Sequence, residues 1–389
     1  MDWLQAAKII QAETIALRRE FHRRPELGFE EVWSGQKIFE NLVNLGWTVK
    51  KGVAKTGLLA LMDSGKPGPC LALRFDMDAL PVNEESEVEY RSEIPGKMHA
   101  CGHDGHMAAG LACARLLAEN REFWRGKVKL IFQPGEEGQG GARAMIRSGA
   151  LEDPKPDAIL GMHLWNEIPI GCYVIKAGAL MAGSSIFHIL IRGRGGHGAM
   201  PDQTVDPVLA AAQLVSALQS IVSRRISPLN PAVVSVTCIH AGESFNVIPG
   251  EAFLKGTIRS FDLDELKMIE SAVKEMSVDL CRAMGCQAEV KITDLTPPLI
   301  NADDLALLAQ KVLPIRLNGL EMDCKYQTAA SEDMAYYQQQ VPGLFLFIGS
   351  APESSAYPHH HPRFDIDERA ITYAAAALTT LVEELSRGA

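Results

Sequence analysis

Short apolar runs that alternate with helix-forming segments are the feature that most restricts the fold of this chain. Four of these runs are CLALRF (70–75), KVKLIF (127–132), DAILGM (157–162) and LFLFIG (344–349). Apolar runs of this length, without polar alternation, are typical of strands that helices cover on both faces. We therefore predict an α/β fold with a central, mostly parallel sheet.

Segments with the 3.6-residue period of helices lie between and around these runs. They cover 4–20, 34–45, 104–119, 303–313, 331–339 and the chain from about 366 onward. The segment 104–119 is apolar on nearly all sides, which predicts a buried helix, and Asp104 is well placed as its N-cap.

The pattern changes between residues 183 and 295. Strand-like segments and two long helical segments, at about 204–225 and 264–284, follow one another there in the order β-α-β-β-α-β. This is the order of a ferredoxin-like sandwich. We predict a catalytic domain formed by residues 1–182 and 296–389, interrupted by an inserted α+β domain over residues 183–295.

Charge and cysteine content narrow the class of protein. The formal net charge is −10, and a net anion is not attracted to nucleic acid or to an anionic membrane. No apolar run reaches the roughly 18 residues of a membrane span, and MDWLQAAKIIQAE lacks the apolar core of a signal peptide. The eight cysteines are scattered without a C-x-x-C pair, which favours reduced thiols. We predict a cytoplasmic protein that binds a small molecule.

Side chains that can bind metal follow the ends of the predicted strands. They are Asp76 and Asp78 in RFDMDALP, Cys101 and three histidines in HACGHDGH, Glu136 and Glu137 in FQPGEEG, His163 in GMHLW, and three histidines in YPHHHPRF. Sites in open α/β sheets form at the carboxyl ends of the strands. Thiolate, imidazole and carboxylate together suit Zn²⁺, and Mn²⁺, Co²⁺ and Ni²⁺ are compatible. The sequence predicts two divalent metal ions, with one glutamate of the pair as a ligand and the other as general base.

Each motif alone has a simpler interpretation. A single histidine after a strand is usually structural, and a pair of glutamates is usually solvated. Cys101 could be a small buried apolar residue or a redox thiol. A thiol redox protein and a non-catalytic metal-binding protein are therefore alternatives. The redox alternative predicts an activity that survives chelators and is lost when the thiol is alkylated.

The complete set of motifs resembles the M20 metallopeptidases. Within them it is similar to the amidohydrolase branch of hippurate hydrolases, N-acyl-amino-acid amidohydrolases and plant auxin-conjugate hydrolases. The motifs are FHRRPELGFEE (21–31), RFDMDALP, HACGHDGH, FQPGEEG, GMHLW and HHHPRFDIDE. The resemblance implies that Cys101 bridges two metal ions, that Glu136 is the general base, and that the other ligands are His103, Glu137, His163 and His360.

Two positions of this motif set depart from the family or stay ambiguous. Many relatives have H-x-D where this chain has Asp76-Met77-Asp78, so Asp78 is predicted to orient a ligand histidine rather than to bind metal. At the end of the chain, His359 and His361 are alternatives to His360 as the last ligand.

The inserted segment resembles the lid and dimerisation domain of the same family. His197 in RGRGGHGAMP matches a residue that stabilises the oxyanion, often in the active site of the partner subunit. Asn246 in GESFNVIPG and Arg259 in GTIRSF match residues that hold the carboxylate of the substrate. A guanidinium suits that role because its planar fork fits a carboxylate. The resemblance implies a homodimer formed through this domain.

These motifs predict hydrolysis of the amide bond of an N-acyl amino acid, such as a hippurate-like or acetyl conjugate. The products would be a carboxylic acid and a free amino acid. A carboxypeptidase or dipeptidase on the same scaffold is an alternative, because the carboxylate anchor would serve a peptide C-terminus equally well. The acyl group and the native metal stay open.

Overall fold

The structure is a computed structural model that describes residues 1–353 and 356–387. The helices are α1 Trp3–Ile9, α2 Gln11–Arg23, α3 Val32–Asn44, α4 His103–Glu119, α5 Gly141–Arg147, α6 Pro207–Arg225, α7 Leu263–Ala283, α8 Asp303–Arg316, α9 Ala335–Gln338 and α10 Arg369–Arg387. The strands are β1 Thr48–Val53, β2 Gly57–Asp63, β3 Cys70–Asp76, β4 Lys127–Gln133, β5 Ala158–Pro169, β6 Cys172–Val174, β7 Gly178–Met181, β8 Gly183–Arg192, β9 Gly196–His197, β10 Ala232–Ala241, β11 Val247–Ile248, β12 Glu251–Ser260, β13 Gln287–Thr296, β14 Leu299–Asn301, β15 Glu321–Asp323 and β16 Gly343–Ala351. Short 3₁₀ helices lie at Arg121–Phe123 and Pro201–Gln203.

The chain divides into two compact units. The first, called the sheet unit, comprises Met1–Gly178, Ile300–Gln327 and the chain from Asp333 onward. The second, called the inserted unit, comprises Ala179–Leu299 and Thr328–Glu332. The segment Thr328–Glu332 therefore packs with the inserted unit, whereas the sequence pattern placed it in the first domain.

The sheet unit is built on one large sheet. Its eight strands have the order β1-β2-β4-β3-β5-β16-β6-β15. The neighbouring strands β4, β3, β5 and β16 run parallel, which confirms the predicted α/β fold with a mostly parallel sheet. Strands β1 and β2 add an antiparallel edge. Every residue of β3 is buried, as expected for a strand covered on both faces.

The parallel strands bring chemically active side chains to the same edge of the sheet. Asp76 at the end of β3 pairs with Gln133 at the end of β4. Across β3 and β5, Arg74 pairs with Gly161, so Asp76 and His163 each lie two residues further along their strands. The carboxyl ends of these strands are where a site is expected in an open α/β sheet.

Helix α4 packs closely on the sheet through a glycine. A Cβ atom at Gly110 would lie 2.8 Å from ring atoms of both Phe75 and Phe132, so a side chain there would collide with the sheet. Helix α10 covers α4 in turn, and its alanines 374–377 are fully buried. Over residues 1–353 and 356–387, none of the helices carries an apolar stretch long enough to cross a lipid bilayer.

The start of α4 differs from the prediction. Gly102, with φ of 89°, occupies the N-cap position, and the helix begins at His103, so the assignment of Asp104 as N-cap is wrong. The carboxylate of Asp104 turns away from the helix backbone because it accepts hydrogen bonds from Arg18 (2.7 Å) and His22 (2.7 Å). A buried guanidinium competes for the carboxylate more strongly than a backbone amide does.

Some elements could not be read from apolar periodicity. The predicted helix 4–20 is two helices that meet at Ile10, and the predicted helix 331–339 is helical only over α9. At the start of that segment, buried Asp333 is held by Arg74 and Gln133 instead of entering a helix. Within the large sheet, the strands β1, β2, β6 and β15 were not predicted. Strands β1 and β15 are its two outer strands, and most of their positions are solvent-exposed, so they carry no apolar run.

The inserted unit has the predicted α+β ferredoxin-like fold. Its antiparallel sheet has the strand order β10-β12-β8-β13. Helices α6 and α7 pack on that sheet and on each other around a separate apolar core. Asp206 and Asp262 cap these helices: the carboxylate of Asp206 accepts hydrogen bonds from two backbone amides of the first turn, and that of Asp262 accepts one.

Arg18 is expected to contribute strongly to the stability of the sheet unit. Its side chain is fully buried and pairs with Asp104 (2.7 Å), Asp365 (2.8 Å) and Glu368 (3.3 Å). Removing one member of a buried ion-pair network leaves uncompensated charge and costs about 3–5 kcal/mol. We expect Arg18→Met to lower the urea midpoint and melting temperature of the metal-free protein accordingly.

The adjacent residue provides the control for this prediction. Arg19 pairs with Glu368 at 2.6 Å, but its side chain is 39% exposed. Exposed ion pairs contribute about 0–1 kcal/mol, so Arg19→Met should change the urea midpoint little. Equal losses for the two variants would contradict the role assigned to burial.

Candidate metal centre

Three buried side chains of metal-binding type meet between the start of α4 and the middle of β5. Cys101 lies in the loop before α4, His103 is the first residue of that helix, and His163 lies on β5. The Sγ atom of Cys101 is 3.6 Å from Nε2 of His163. The ligand atoms of the three residues lie within 4.8 Å of one another, which is close enough to surround one metal ion.

Backbone carbonyl groups orient the two imidazoles. Nδ1 of His103 donates to the carbonyl oxygen of Asp78 (2.8 Å), and Nδ1 of His163 donates to that of Leu164 (2.8 Å). A carbonyl oxygen can only accept, so each Nδ1 carries a proton, and in the neutral imidazole the lone pair lies on Nε2. Nε2 of His103 makes no hydrogen bond within the described parts of the chain. Imidazoles held in this way are arranged to bind metal through Nε2.

A second group shares the same cysteine. Cys101, Glu137 and His360 also have ligand atoms within 4.8 Å of one another. Nε2 of His360 lies 3.3 Å from Oε1 of Glu137, an oxygen that is buried and has no hydrogen bond among the described residues. A side chain common to two ligand groups is one arrangement that can hold a pair of neighbouring cations.

The electrostatics of this cluster fit a divalent cation. Burial, and then the charge of Glu137, raise the pKa of Cys101 well above its ordinary value, so the thiolate needs a compensating positive charge. Burial lowers the pKa of His163, so its imidazole is neutral, as a metal ligand must be. Burial alone would lower the pKa of His103, but the charge of Asp76, the hydrogen bond to Asp78 and the neighbouring Cys101 together raise that pKa well above its ordinary value, so positive charge is favoured here. A metal ion would satisfy each of these groups.

Among the three consecutive histidines, His360 is the one that reaches the cluster. His359 stacks on Trp165 with ring centroids 4.4 Å apart, and His361 stacks on Tyr357 at 4.6 Å. His360 has φ of 67°, an uncommon left-handed conformation for a residue with a side chain. Backbone strain of this kind is tolerated mostly at functional sites. The geometry therefore favours His360 over its neighbours as the last ligand.

Asp78 contacts two of the ligand residues. Its Oδ2 accepts a hydrogen bond from the backbone amide of Glu137 (3.0 Å), and its Oδ1 lies 3.4 Å from Nδ1 of His103. It is positioned to hold both residues in place. The predicted role of Asp78 in orienting a ligand histidine stays a prediction.

Glu136 lies beside the cluster and is half buried. Its carboxylate is within 4.8 Å of ligand atoms of His103 and Glu137. The backbone amide of Asp333 donates to Oε1 of Glu136 (3.4 Å), and Arg74 anchors the Asp333 side chain at 2.7 Å. The Glu136 carboxylate is therefore held near the proposed ligands, but it belongs to neither of the two groups that share Cys101.

The remaining predicted residues lie in the inserted unit. His197 on β9 and Asn246 just before β11 are exposed neighbours, because these two short strands pair and Gly198 donates to the carbonyl of Asn246 (2.8 Å). Arg259 on β12 is half buried, burial lowers its pKa, and its Nη1 donates to the neutral hydroxyl of Ser331 (3.0 Å). A partly desolvated guanidinium on a neutral partner can accept an anion.

Sequence reasoning did not find the role of two residues beside the site. Asp76 and His106 were counted among the side chains able to bind metal, but neither was assigned a specific role. In the structure they are bonded to each other at 2.6 Å, between Arg74 and the strand that carries His163. The available clue was Arg74, because an arginine in a fully buried strand needs a carboxylate, and Asp76 is two residues further on the same face.

A mostly parallel α/β sheet with thiol, imidazole and carboxylate groups gathered at its carboxyl edge is consistent with the class of metal-dependent hydrolases. The chain matches the model of peptidase family M20/M25/M40 over residues 72–384 and belongs to that family. It is 41% identical to the putative amidohydrolase YhaA of Bacillus subtilis, covering 94% of this chain and 93% of that protein. It is 39% identical to IAA-amino acid hydrolase ILR1-like 2 of Arabidopsis thaliana, and the match covers 96% of this chain and 86% of that protein.

A solved structure gives the same assignment. The YXEP protein of Bacillus subtilis, described as a dinuclear metal-binding peptidase of the M20 family, superimposes with a TM-score of 0.86. It is 34% identical, over 98% of this chain and 99% of that one. The protein is therefore an enzyme, a metal-dependent amidohydrolase of the M20 family. The thiol redox and non-catalytic alternatives are not supported.

Proposed function

We propose that the protein hydrolyses the amide bond of N-acyl amino acids to a carboxylic acid and a free amino acid. The observation that carries this substrate class is the half-buried guanidinium of Arg259, which has a neutral partner in Ser331 and so remains able to bind a carboxylate. Asn246 would supply a second polar contact to the same carboxylate.

Two divalent metal ions would be held by the ligand cluster, with Cys101 between them. The other ligands would be His103, Glu137, His163 and His360. This mixture of sulfur, nitrogen and oxygen suits Zn²⁺ best, and Mn²⁺, Co²⁺ and Ni²⁺ remain compatible. When bound, the ions would polarise the scissile carbonyl group and lower the pKa of water towards about 7.

The protein's own groups would then position the reactants and move the proton. Glu136 would take a proton from the attacking water and pass it to the leaving nitrogen, since its carboxylate is held beside the ligands by the amide of Asp333. His197, whose side chain is exposed, would donate a hydrogen bond to the oxyanion. The homodimer through the inserted unit and the cytoplasmic location remain predictions.

The test is a substrate panel measured with metal content. Acetyl-, benzoyl- and indole-acetyl-amino acids should be hydrolysed, and chelation should abolish turnover until Zn²⁺, Mn²⁺, Co²⁺ or Ni²⁺ is restored. Full metal content with turnover of dipeptides alone would favour the peptidase alternative, because Arg259 could equally hold a peptide C-terminus. Turnover that survives complete removal of metal would contradict the proposal.

The proposed binding of the substrate carboxylate by Arg259 can be tested with Arg259→Met. A hydrogen bond to a charged group contributes about 1.5–3 kcal/mol, so KM for an N-acyl amino acid should rise roughly 10- to 150-fold. The α-amide of the same substrate, which lacks the carboxylate, should show no such difference between variant and wild type. Arg282→Met, at an arginine whose side chain is 72% exposed on α7, is the matched control. An unchanged KM in Arg259→Met would rule out the anchor.

A further inference from the structure

A buried chain of hydrogen bonds runs beside the metal centre without using any predicted ligand. Nη1 of Arg74 donates to Oδ2 of Asp76 (2.7 Å), and Oδ1 of Asp76 bonds Nδ1 of His106 (2.6 Å). Nε2 of His106 bonds the backbone amide of Leu164 (3.0 Å). The three side chains are at most 1% exposed, so water does not compete for these bonds.

The direction of each bond follows from the chemistry of its partners. The amide of Leu164 can only donate, so Nε2 of His106 is the acceptor and carries no proton. Nδ1 of His106 therefore holds the proton and donates it to Asp76, whose other oxygen is already bonded to Arg74. These hydrogen bonds thus specify one tautomer of His106, with the proton on Nδ1.

The same bonds argue against metal binding by this group. The ligand atoms of Asp76, His103 and His106 lie within 4.8 Å of one another, a spacing compatible with a cation. Both nitrogens of His106, however, are engaged with protein partners, and each oxygen of Asp76 has a donor. Of the three, His103 alone keeps an Nε2 that has no hydrogen bond among the described residues.

This series of hydrogen bonds ends at Leu164, the residue whose backbone orients the proposed ligand His163. Leu164 follows His163, and its carbonyl oxygen accepts the bond from Nδ1 of His163 (2.8 Å) and another from His359 (3.1 Å). The ring of His106 also packs edge-on against the ring of His163, with centroids 4.6 Å apart at 81°. His106 therefore contacts both the ligand ring and the backbone that directs it.

We propose that Asp76 and His106 are positioning residues, which fix the backbone at Leu164 and so hold the ring of His163 in the orientation that binds metal. They act through His163 and bind no metal themselves. The proposal depends on the metal centre of the proposed function but not on the identity of the substrate.

The first test is Asp76→Asn, with Co²⁺ as the probe. An amide has one oxygen, so its nitrogen must face the N–H of either Arg74 or His106, and one bond of the chain is lost. Loss of such an outer partner weakens metal binding by roughly 10- to 100-fold. We expect that loss of Co²⁺ affinity, a changed visible spectrum and, at saturating Co²⁺, the wild-type stoichiometry.

Two controls separate positioning from other effects. His103→Gln removes a proposed ligand and should lower the Co²⁺ stoichiometry, which Asp76→Asn should not. Asp157→Asn makes the same substitution just before β5, where the carboxylate bonds the amide of Cys70 (2.8 Å), and should bind Co²⁺ like the wild type. Reduced stoichiometry in Asp76→Asn would make Asp76 a ligand, and wild-type affinity with an unchanged spectrum would make it irrelevant; either result overturns the proposal.

A second measurement is made on the wild-type protein, so it does not depend on how well Asp76→Asn folds. Nitrogen-15 NMR of the histidine rings in the wild-type apoprotein reports which nitrogen carries the proton, with the His106 signal assigned by its loss in His106→Asn. We expect protonated Nδ1 in His106, and protonated Nε2 would overturn the proposal. Neither measurement uses a substrate, so failure to hydrolyse N-acyl amino acids would leave the result intact.

Discussion

Glu136→Gln is expected to lower kcat by about 10²–10⁴-fold while the enzyme keeps its metal. The amide preserves the size of the side chain and can still accept the bond from the Asp333 backbone, but it cannot take a proton from water. Because substrate binding is left to other residues, KM should change little. Steady-state kinetics with an N-acyl amino acid, together with metal content by mass spectrometry, provides the measurement.

The neighbouring carboxylate supplies the control for this experiment. Glu137→Gln changes the proposed ligand instead of the proposed base, so it should lose metal as well as activity. If Glu136→Gln also lost metal, Glu136 would be a ligand. If it retained turnover within a few-fold of the wild type, another group would be the base.

Cys101→Ala is expected to have the largest effect on metal binding. Its thiol belongs to both ligand groups, with His103 and His163 on one side and with Glu137 and His360 on the other. Loss of a residue that only hydrogen-bonds a metal ligand weakens metal binding by roughly 10- to 100-fold. Removing the Cys101 thiol should weaken binding of both ions by more than that. Metal content after dialysis should fall towards zero, and hydrolysis should be lost with it.

Cys113→Ala is the matched control, because Cys113 is a fully buried cysteine on α4 itself. Its Sγ contacts the carbonyl of Ala375 at 3.8 Å and lies outside the ligand groups of the described residues. Cys113→Ala should therefore retain metal and activity, while its free energy of unfolding falls because a buried side chain is shortened. Full metal content in Cys101→Ala would show that the thiol is not the shared ligand.

The position of the site was predictable from the order of the elements. Asp76 is the last residue of β3 and His163 lies within β5, and parallel strands bring their carboxyl ends to one edge of the sheet. The helix that begins at His103 was likewise visible as an apolar segment, because its buried face extends almost all round. Periodicity and burial are local properties, so a single chain is enough to read them.

Several features depended on contacts between residues far apart in the chain. Asp104 has the sequence position of an N-cap, yet Arg18 draws its carboxylate away, 86 residues distant. The sequence motif matches His360 as the last ligand but leaves His359 and His361 as alternatives, and in the structure these two neighbours stack on Trp165 and Tyr357 instead. Such choices depend on which side chains become neighbours after folding.

The amino-acid sequence alone therefore determined the α/β architecture, the α+β insertion and the ligand-bearing motifs, because apolar patterning and strand-end chemistry are encoded locally. The tertiary structure decided which histidine of three approaches Glu137, which nitrogen of each imidazole keeps its lone pair, and that Asp76 and His106 bond each other. The physical reason is that hydrogen-bond direction and burial exist only once the strands, α4 and the C-terminal loop have come together.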